Sequence, residues 1–421
     1  MLTQGCIKKI IALLVSVLML ALVVSPVLAD VPTVKIGFYG SISGVNAESG
    51  RQGILAVKAV EKYVNERGGI KSLGGAKLET IMIDSTSDVA QGILPLERAL
   101  ASGEIVAIVG SSQSAFALAS LPILEKYQVP AVTGSAANGT ITQQGCNFIF
   151  QPAAIASEFS RMQMKFLEYV AELMGKDIKD LRAGIVYENS AWGEDNARAQ
   201  RRDLQELGVT IAVDENYAAG ALTDASPIVT KLRNARVDVL FPSCYANDAK
   251  LIMTAMNAMR YKPLIIAGGS AFTWPSLLKD LGDDVNGILS ADGWVWDCRT
   301  TLENPEFTKI REEYERENGE FIPGQGGPTI VSYMLIVEAL ERAGVADPIA
   351  IRDELRKANA KDSIWFRSLN DGRGYFDENG FNPNGVPIIL QWQGNKPRCV
   401  FPLDAASSKL INPLTLEPFE Q

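Results

Sequence analysis

Histidine is the most informative absence, because the chain of 421 residues contains none. Histidine is the most frequent general base in enzymes and a very common metal ligand. Its absence excludes a Ser-His-Asp triad and every metal site that depends on imidazole. We therefore expect a protein without a metal site and without a cofactor.

Cysteine is also scarce, with five residues in the chain and no C-x-x-C spacing, so a structural zinc site is not expected. Four cysteines lie beyond the N-terminal segment, and in an oxidising compartment they permit three complete disulfide pairings. The sequence does not choose among these pairings, and buried free thiols are an equally good interpretation. The four residues are Cys146, Cys244, Cys298 and Cys399.

The usual motifs of nucleotide-binding proteins and hydrolases are missing. There is no G-x-x-x-x-G-K-[ST] loop and no G-x-S-x-G elbow, and the glycines of residues 37–44 do not have G-x-G-x-x-G spacing. Residues 276–279 spell S-x-x-K, but the partner motifs S-D-N and K-T-G of penicillin-recognising enzymes are absent. An enzyme of the S-x-x-K type therefore remains only as the less favoured alternative.

The chain has no excess of basic residues, with 40 Lys and Arg against 49 Asp and Glu and a net charge of −9. Removal of the N-terminal 29 residues would take away Lys8 and Lys9 and no acid, and would change the charge by two, to −11. This acidic balance argues against nucleic acid or an anionic membrane surface as a partner.

One hydrophobic run, residues 10–24, follows Lys8 and Lys9. It is shorter than the roughly 20 residues that a membrane-spanning helix needs. Val27-Leu28-Ala29 then supplies small and apolar residues of the kind found before a signal-peptidase site. We predict that residues 1–29 are a cleaved signal peptide, in preference to a retained anchor, and that the protein is periplasmic or otherwise extracytoplasmic.

The rest of the chain alternates strand-like and helix-like segments, a pattern typical of parallel α/β folds. A first series runs from residue 34 to about residue 133, and a second restarts near residue 181. About 390 residues would follow the signal peptide, which is more than one hydrophobic core usually supports. The sequence predicts two Rossmann-like α/β lobes, each with a parallel sheet covered by helices on both faces.

Residues 34–70 form the clearest unit of the first series. A β-rich run leads through a Gly/Ser turn into a helix with an apolar stripe at Ile54, Val57, Val60 and Val64. Open α/β sheets bind small ligands where a strand, a loop and a helix N-terminus meet in this way. This unit therefore predicts a small-molecule site.

Several short motifs, taken in order, resemble type I periplasmic solute-binding proteins of ABC importers, in the branched-chain amino acid and amide-binding (leucine-binding-protein-like) branch. They cover nearly the whole chain after the leader. The matching runs are GFYGSISG at residues 37–44, NERGGI at 65–70, IVG with Ser114 at 108–114, GSA at 134–136, YE with WG at 187–193, Tyr245, and Tyr333 with EAL at 338–340.

The resemblance implies two lobes that are joined by three hinge crossings and close on a ligand. We place the crossings near Gln151, Trp296 and Ser368. The first lobe would comprise residues 30–151 and 297–368, and the second lobe residues 152–296 and 369–421. The implied partners are a small ligand (an amino acid, an amide, or an aromatic or aliphatic carboxylate) and ABC permease subunits, with the protein a monomer. An exported ligand sensor of the same fold is the open alternative.

The resemblance also implies a set of binding residues. Ser114 matches the hydroxyl that holds a ligand carboxylate or amide, and residues 135–137 match the loop that completes this clamp. Trp192 matches an aromatic cover from the second lobe, and Tyr245 a tyrosine that approaches an amino group. The alternatives are a plain helix N-cap for Ser114 and core positions for both aromatics. The full candidate set is Ser49, Gln113, Ser114, Ser135, Ala136, Ala137, Trp192, Tyr245, Ser270 and Phe272.

The chain departs from the pattern at one charged position. Amino acid binders of this type place an acid after the strand that ends near Ala267, but this chain has Gly268-Gly269-Ser270 there. Asp248 and Asp292 are possible replacements, although a surface or capping role is the more common one for each. Ala137 stands where relatives often have threonine, and Phe272 and Trp274 add apolar surface. We therefore expect a carboxylate or amide with an apolar or aromatic body in preference to an aliphatic amino acid.

Overall fold

The computed structural model describes residues 32–369 and 373–419. The predicted signal peptide, residues 1–29, lies outside the described residues. Among the described residues, no helix has both the length and the apolar character needed to cross a membrane.

The first sheet has five parallel strands in the order β2-β1-β3-β4-β5. Its outer strand β2 pairs with β1 in continuous register from Thr33 opposite Lys77 to Gly40 opposite Asp84. The strands are β1 Thr33–Gly40, β2 Lys77–Asp84, β3 Ile105–Gly110, β4 Ala131–Val132 and β5 Ile149–Phe150.

The second sheet has seven strands in the order β12-β11-β10-β9-β8-β6-β7. Strands β6 to β10 run parallel, whereas β11 pairs antiparallel with both β10 and β12. The strands are β6 Arg182–Glu188, β7 Thr210–Tyr217, β8 Val239–Ser243, β9 Leu264–Ala267, β10 Leu289–Asp292, β11 Ile388–Gln393 and β12 Lys396–Phe401.

Thirteen α-helices in the described part of the chain cover these sheets. They are α1 Ala47–Glu66, α2 Val89–Ala101, α3 Ser114–Tyr127, α4 Ala156–Leu173, α5 Ala191–Glu206, α6 Ser226–Asn234, α7 Ala246–Ala258, α8 Pro275–Leu281, α9 Arg299–Leu302, α10 Pro305–Asn318, α11 Gly326–Ala343, α12 Pro348–Leu355 and α13 Ile364–Arg367.

Each sheet carries a hydrophobic core on both of its faces, because successive side chains of a strand point to opposite sides. In β1, Ile36 and Phe38 join a core that includes α1 and α11, whereas Tyr39 joins the core under α2 and α3. The second sheet divides in the same way. Phe241 packs in the core that α4 and α5 share, and Leu240 in the core of α6 and α7. The predicted fold class, two α/β lobes with parallel sheets, is confirmed.

The chain passes between the two sheets more than once. After β10 it returns to the first sheet, where α10, α11 and α12 join the core of α1. Helix α11 is buried on almost every side, as expected for a helix in the middle of a lobe. Phe376 still packs in this core, and β11 and β12 then complete the second sheet. We call the two sheets with their helices the first and second lobes, and the predicted residue boundaries remain predictions.

The alternating pattern of the sequence predicts strands at residues 105–110, 130–133, 210–213 and 264–267 and a helix at 114–127. The strands at 105–110 and 264–267 and the helix have the predicted bounds. The run at 130–133 is a strand of only two residues, β4, and the strand predicted at 210–213 extends to Tyr217. The pattern predicted a strand near residues 387–392 but not its antiparallel partner β12, in which Pro397 and Lys396 weaken the strand signal.

All four cysteines of the described residues are buried and have free thiols. The structure therefore agrees with buried small side chains, one of the two interpretations that the sequence left open.

Gly50 in the first turns of α1 lies directly against the backbone of the loop after β1. A methyl group at this position would collide with the carbonyl oxygen of Ser41. Alanine normally stabilises a helix relative to glycine. We expect the opposite for Gly50→Ala, a loss of about 1 to 3 kcal/mol in the free energy of unfolding, because backbone atoms must move to make room.

Urea unfolding followed by circular dichroism measures this change. Lys58→Ala, on the exposed face of the same helix, is the control and should change the midpoint little. A Gly50→Ala protein as stable as wild type would contradict the packing described here.

Candidate functional site

A cleft lies where the carboxyl ends of strands from both sheets face one another. The space between the atoms of its walls is about 600 Å³, part of it open to solvent. Its residues follow β3, β4, β8, β9 and β10 or begin helices, which is where open α/β sheets bind ligands. The walls are formed by Ser112, Gln113, Ser135, Ala137, Gln325 and Pro328 of the first lobe, and by Ala153, Phe159, Trp192, Cys244, Tyr245, Gly268, Gly269, Ala271, Trp274, Asp292 and Gly293.

The first-lobe wall is polar and uncharged. The side-chain carbonyl of Gln113 accepts a hydrogen bond from Ser41 Oγ, which also lies 2.9 Å from Ser85 Oγ. Gln325 is held in a similar way, because its Nε2 donates to Ser49 Oγ at 2.9 Å. Two amide side chains therefore reach the cleft from positions fixed by buried serines.

The second-lobe wall is largely aromatic. Trp192 stands in the first turn of α5 and packs against Tyr245, with ring centroids 5.3 Å apart and planes inclined by 43°. Ser190 caps this helix by accepting a hydrogen bond from Trp192 N at 3.3 Å, and Glu188 accepts one from Ser190 N at 2.7 Å. The capped turn therefore fixes the position of Trp192 at the cleft.

Trp274 and Phe159 complete the aromatic surface. Trp274 is buried, and its indole Nε1 has no hydrogen-bond partner among the described residues.

Asp292 ends β10, contributes to the cleft wall and is only 4% exposed, and its carboxyl group lies against Gly324. Its Oδ1 accepts a hydrogen bond from Gly293 N at 2.9 Å, and its Oδ2 accepts one from Thr273 Oγ1 at 3.1 Å. Burial raises the pKa of this carboxyl to about 7, although both hydrogen bonds favour the charged form. Within the described residues, no Lys or Arg side chain forms an ion pair with it.

Asp248, the other acid considered from the sequence, lies in the first turn of α7, whose N-cap residue is Tyr245, and is absent from the cleft wall. It is buried beside Tyr217, and burial raises its pKa. The structure therefore brings Asp292, and not Asp248, to the cleft.

The two walls touch each other across the cleft. Asn138 Nδ2 of the first lobe donates to the carbonyl of Ala191 at 2.8 Å, and Gly139 N donates to Asp195 Oδ2 at 2.9 Å. The hydroxyl of Tyr245 also interacts with the side chain of Gln113, and burial raises its pKa. These contacts hold the lobes together over the aromatic and amide side chains.

Comparison with known proteins shows which family the chain belongs to. The sequence profile of the periplasmic binding proteins matches residues 33–395. The chain belongs to the periplasmic binding protein family. This membership confirms the predicted resemblance to periplasmic binding proteins, a family of binding proteins and not of enzymes.

Relatives cover nearly the whole of this periplasmic binding protein. The Leu/Ile/Val-binding protein homolog 7 of Brucella suis is 27% identical over 413 residues, which are 96% of this chain and 99% of that protein. The substrate-binding protein LivJ from Streptococcus pneumoniae, solved with isoleucine, has a TM-score of 0.74 at 20% identity and covers 87% of this chain and 99% of its own. An ABC transporter solute-binding protein from Rhodopseudomonas palustris was solved with 3,4-dihydroxybenzoic acid. It has a TM-score of 0.72 at 18% identity, and the match covers 87% of this chain and 95% of that protein.

Half of the candidate residues line the cleft of the periplasmic binding protein. They are Gln113, Ser135, Ala137, Trp192 and Tyr245. The fact that they share one cleft does not itself test ligand binding, and their roles remain predictions.

The other candidates lie near the cleft but outside its walls. Ser114 begins α3, and its Oγ accepts a hydrogen bond from Asn138 N at 3.1 Å, so it positions the loop after β4. Ser49 supports Gln325, and the carbonyl of Ala136 accepts from Gln151 Nε2 at 2.8 Å. Phe272 is part of the core of α6 and α7. Ser270 starts a short 3₁₀ helix at Ser270–Thr273.

Sequence reasoning did not select several of the wall residues, among them Ser112, Phe159, Gln325 and Pro328. Ser112 lies next to Gln113 and just after β3 ends at Gly110. Its position at the carboxyl end of a predicted strand could therefore have identified it as a wall residue. Gln325 has no local signal, since its partner Ser49 is 276 residues away in the chain. Asp292 was considered only as a replacement acid, and its position in the wall depends on the pairing of β9 with β10.

The Asp292 carboxyl should make the stability of the ligand-free protein depend on pH. The folded-state pKa of this carboxyl is about 7, and its usual value is 3.8. Between pH 3.8 and pH 7 the folded protein therefore holds a proton that the unfolded chain has lost. Stability therefore falls as the pH rises from about 4 to about 7 and then levels off. Asp292→Asn should remove this contribution. The free energy of unfolding of the variant minus that of wild type should therefore increase by about 1 to 3 kcal/mol between pH 5 and pH 8.

Urea unfolding of wild type and Asp292→Asn at several pH values tests this prediction. Glu66→Gln, an exposed carboxyl of α1, controls for the loss of one acid. Parallel pH profiles for wild type and Asp292→Asn would show that Asp292 titrates like an exposed carboxyl.

Proposed function

We propose that the protein is the exported solute-binding component of an ABC importer. It captures a small amino-acid-like, carboxylate or amide ligand between its lobes and delivers it to the permease. The observation that carries this proposal is the cleft at the carboxyl ends of both sheets, with a polar first-lobe wall and an aromatic second-lobe wall.

The first-lobe wall suits the polar end of such a ligand. Helix α3 begins here, and the side chain of its N-cap residue, Gln113, makes no capping hydrogen bond, so the backbone N–H groups of the first turn can donate to a ligand. The helix dipole also favours a negative or partly negative group at this end. The hydroxyls of Ser112 and Ser135 and the amides of Gln113 and Gln325 add side-chain partners.

The second-lobe wall suits the rest of the ligand and provides closure. Trp192 and Tyr245 offer ring surface opposite the polar wall, and the contacts from Asn138 and Gly139 show how the lobes meet. A ligand that touches both walls binds the closed arrangement better than the open one, and so shifts the population towards it. The closed shape is what a permease recognises in this proposal.

The relatives support the same ligand class. The Brucella suis protein is named a Leu/Ile/Val-binding protein homolog, LivJ was solved with isoleucine, and the Rhodopseudomonas palustris protein with a dihydroxybenzoic acid. The signal peptide predicted at residues 1–29 supports a location in the periplasm or an equivalent compartment. We propose that it acts there as a monomer.

Ligand-stripped protein without residues 1–29 should unfold at a higher temperature in the presence of a true ligand. At a hundredfold excess over the dissociation constant, the stabilisation is about 2.7 kcal/mol. The panel should contain branched-chain and aromatic amino acids, aromatic carboxylates and short amides. Differential scanning calorimetry measures the midpoint, and small-angle scattering should show a smaller radius of gyration on binding. No shift with any compound and no compaction would contradict a solute-binding role.

Trp192→Ala should reduce both binding and uptake of the ligand found in this way. The loss of a central aromatic contact typically costs about 2 kcal/mol or more, which corresponds to an affinity lower by about thirtyfold. Uptake of labelled ligand is measured in cells that lack the gene and carry the variant. Tyr375→Ala, a half-exposed aromatic residue away from the cleft, is the matched control. Binding without any effect of the gene on uptake would favour the sensor alternative.

A further inference from the structure

A buried glutamate holds the turn that carries Trp192. Glu188 is the last residue of β6 and is 0% exposed. Its Oε2 accepts a hydrogen bond from Ser190 N at 2.7 Å, and its Oε1 accepts one from Ser190 Oγ. The backbone of Gly193 packs against the same residue, because a methyl group there would lie 3.0 Å from Oε1 and 1.9 Å from the carbonyl oxygen. The first turn of α5 therefore rests on this carboxyl group.

Ser190 connects this carboxyl group to both aromatic residues of the second-lobe wall. Its Oγ accepts a hydrogen bond from Trp192 N at 3.3 Å while it donates to Glu188, and it also interacts with the hydroxyl of Tyr245. The Trp192 ring lies directly against Gly269, where a methyl group would come within 2.9 Å of it. Neither Glu188 nor Ser190 belongs to the described cleft wall. Glu188 therefore acts on the cleft through the residues that it holds.

A second buried acid lies close to Glu188. Asp248, in the first turn of α7, is 4% exposed, and its charge acts on Glu188. Burial, and then this neighbouring charge, raise the pKa of Glu188, whereas the hydrogen bonds from Ser190 and Gly193 favour its charged form. Two like charges in one buried site are costly, so the pair takes up a proton at a pH where exposed acids remain charged.

Hydrogen bonds, and not a salt bridge, hold the two carboxyl groups. The other titratable groups that face them are Tyr217 at the end of β7 and Cys244 and Tyr245 after β8, and burial raises the pKa of all three. In the described ranges, no Lys or Arg side chain forms an ion pair with either acid. Asp195, further along α5, pairs with Arg198 instead.

We propose that Glu188 is a positioning residue for ligand binding. Its carboxylate holds the first turn of α5 so that Trp192 and Tyr245 face the cleft, and uptake of a proton releases this turn. A charged carboxylate accepts from every donor around it, whereas a protonated one has an O–H group that opposes one of them. Acid should therefore loosen the aromatic wall and lower the affinity for a ligand. This inference rests on the proposed solute-binding function, in which Trp192 covers the ligand.

Fluorine NMR of the ligand-free protein tests this positioning without any assumption about the ligand. The chain contains six tryptophans, and none lies in residues 1–29. Protein that starts at residue 30 and is labelled with 5-fluorotryptophan should therefore give six signals. Trp192→Phe identifies the signal of Trp192 by its loss. The pH is lowered from 8 to about 4.5, and circular dichroism shows whether the fold persists.

We expect the Trp192 signal to shift with one midpoint above pH 4.5, the usual pKa of a glutamate, because the pKa of Glu188 is raised. The side chain of Glu188→Gln cannot accept from all of the donors. Its Trp192 signal should therefore lie near the acid position of wild type already at pH 8 and should not move. Glu66→Gln, an exposed carboxyl of α1, is the matched control and should keep the wild-type profile.

Two further variants separate Glu188 from the neighbouring acids. Asp292 also takes up a proton in this range, so the midpoint should persist in Asp292→Asn. Asp248→Asn removes the charge that raises the pKa of Glu188 and should therefore move the midpoint to lower pH. A role of Glu188 in folding alone predicts no such shift. These variants and wild type decide the question even if Glu188→Gln does not fold.

The inference is overturned if the Trp192 signal of the folded protein does not change with pH, or if it changes equally in Glu188→Gln. A midpoint that does not fall in Asp248→Asn, or that is lost in Asp292→Asn, overturns it as well. None of these results bears on the solute-binding function. That function fails separately, when no compound of the ligand panel raises the unfolding temperature.

Discussion

The directionality of parallel β-sheets is the constraint on which this protein depends. In a parallel sheet every strand ends at the same edge, so the loops that follow the strands gather there. The chain builds two such sheets and turns the carboxyl edges of both towards one cleft. The loops after β3, β4, β8, β9 and β10 are far apart in the sequence. They line one cleft because the strands of each sheet end at the edge that faces it.

The two walls of the cleft differ in chemistry. The first lobe contributes amides and hydroxyls held by buried serines, and the second contributes rings and one acid. A preformed polar wall loses little entropy when a ligand binds, whereas an aromatic wall gains most when the lobes approach and water leaves.

Elements with a strong local pattern were predictable. Strand β3 is fully buried and continuous in apolar residues, and α3 has a clear start and stop, so their bounds followed from the sequence. Strand β4 has two residues and β12 begins with Lys396-Pro397, so neither has enough length or alternation to define its bounds. The resemblance to a known family added Trp192 and Tyr245, which no local pattern identifies as ligand-facing.

The sequence by itself determined the fold class, the two-lobe organisation and the absence of histidine chemistry, because periodicity and composition act locally. Only the tertiary structure decided which acid reaches the cleft. Asp248 lies in the first turn of α7, after β8, whereas Asp292 is the last residue of β10. Of the two, only Asp292 is part of the cleft wall. Gln325 is a similar case, since Ser49 lies 276 residues away and meets it only after α1 and α11 have packed together. Such contacts depend on how whole elements pack, and no local stretch of sequence specifies that.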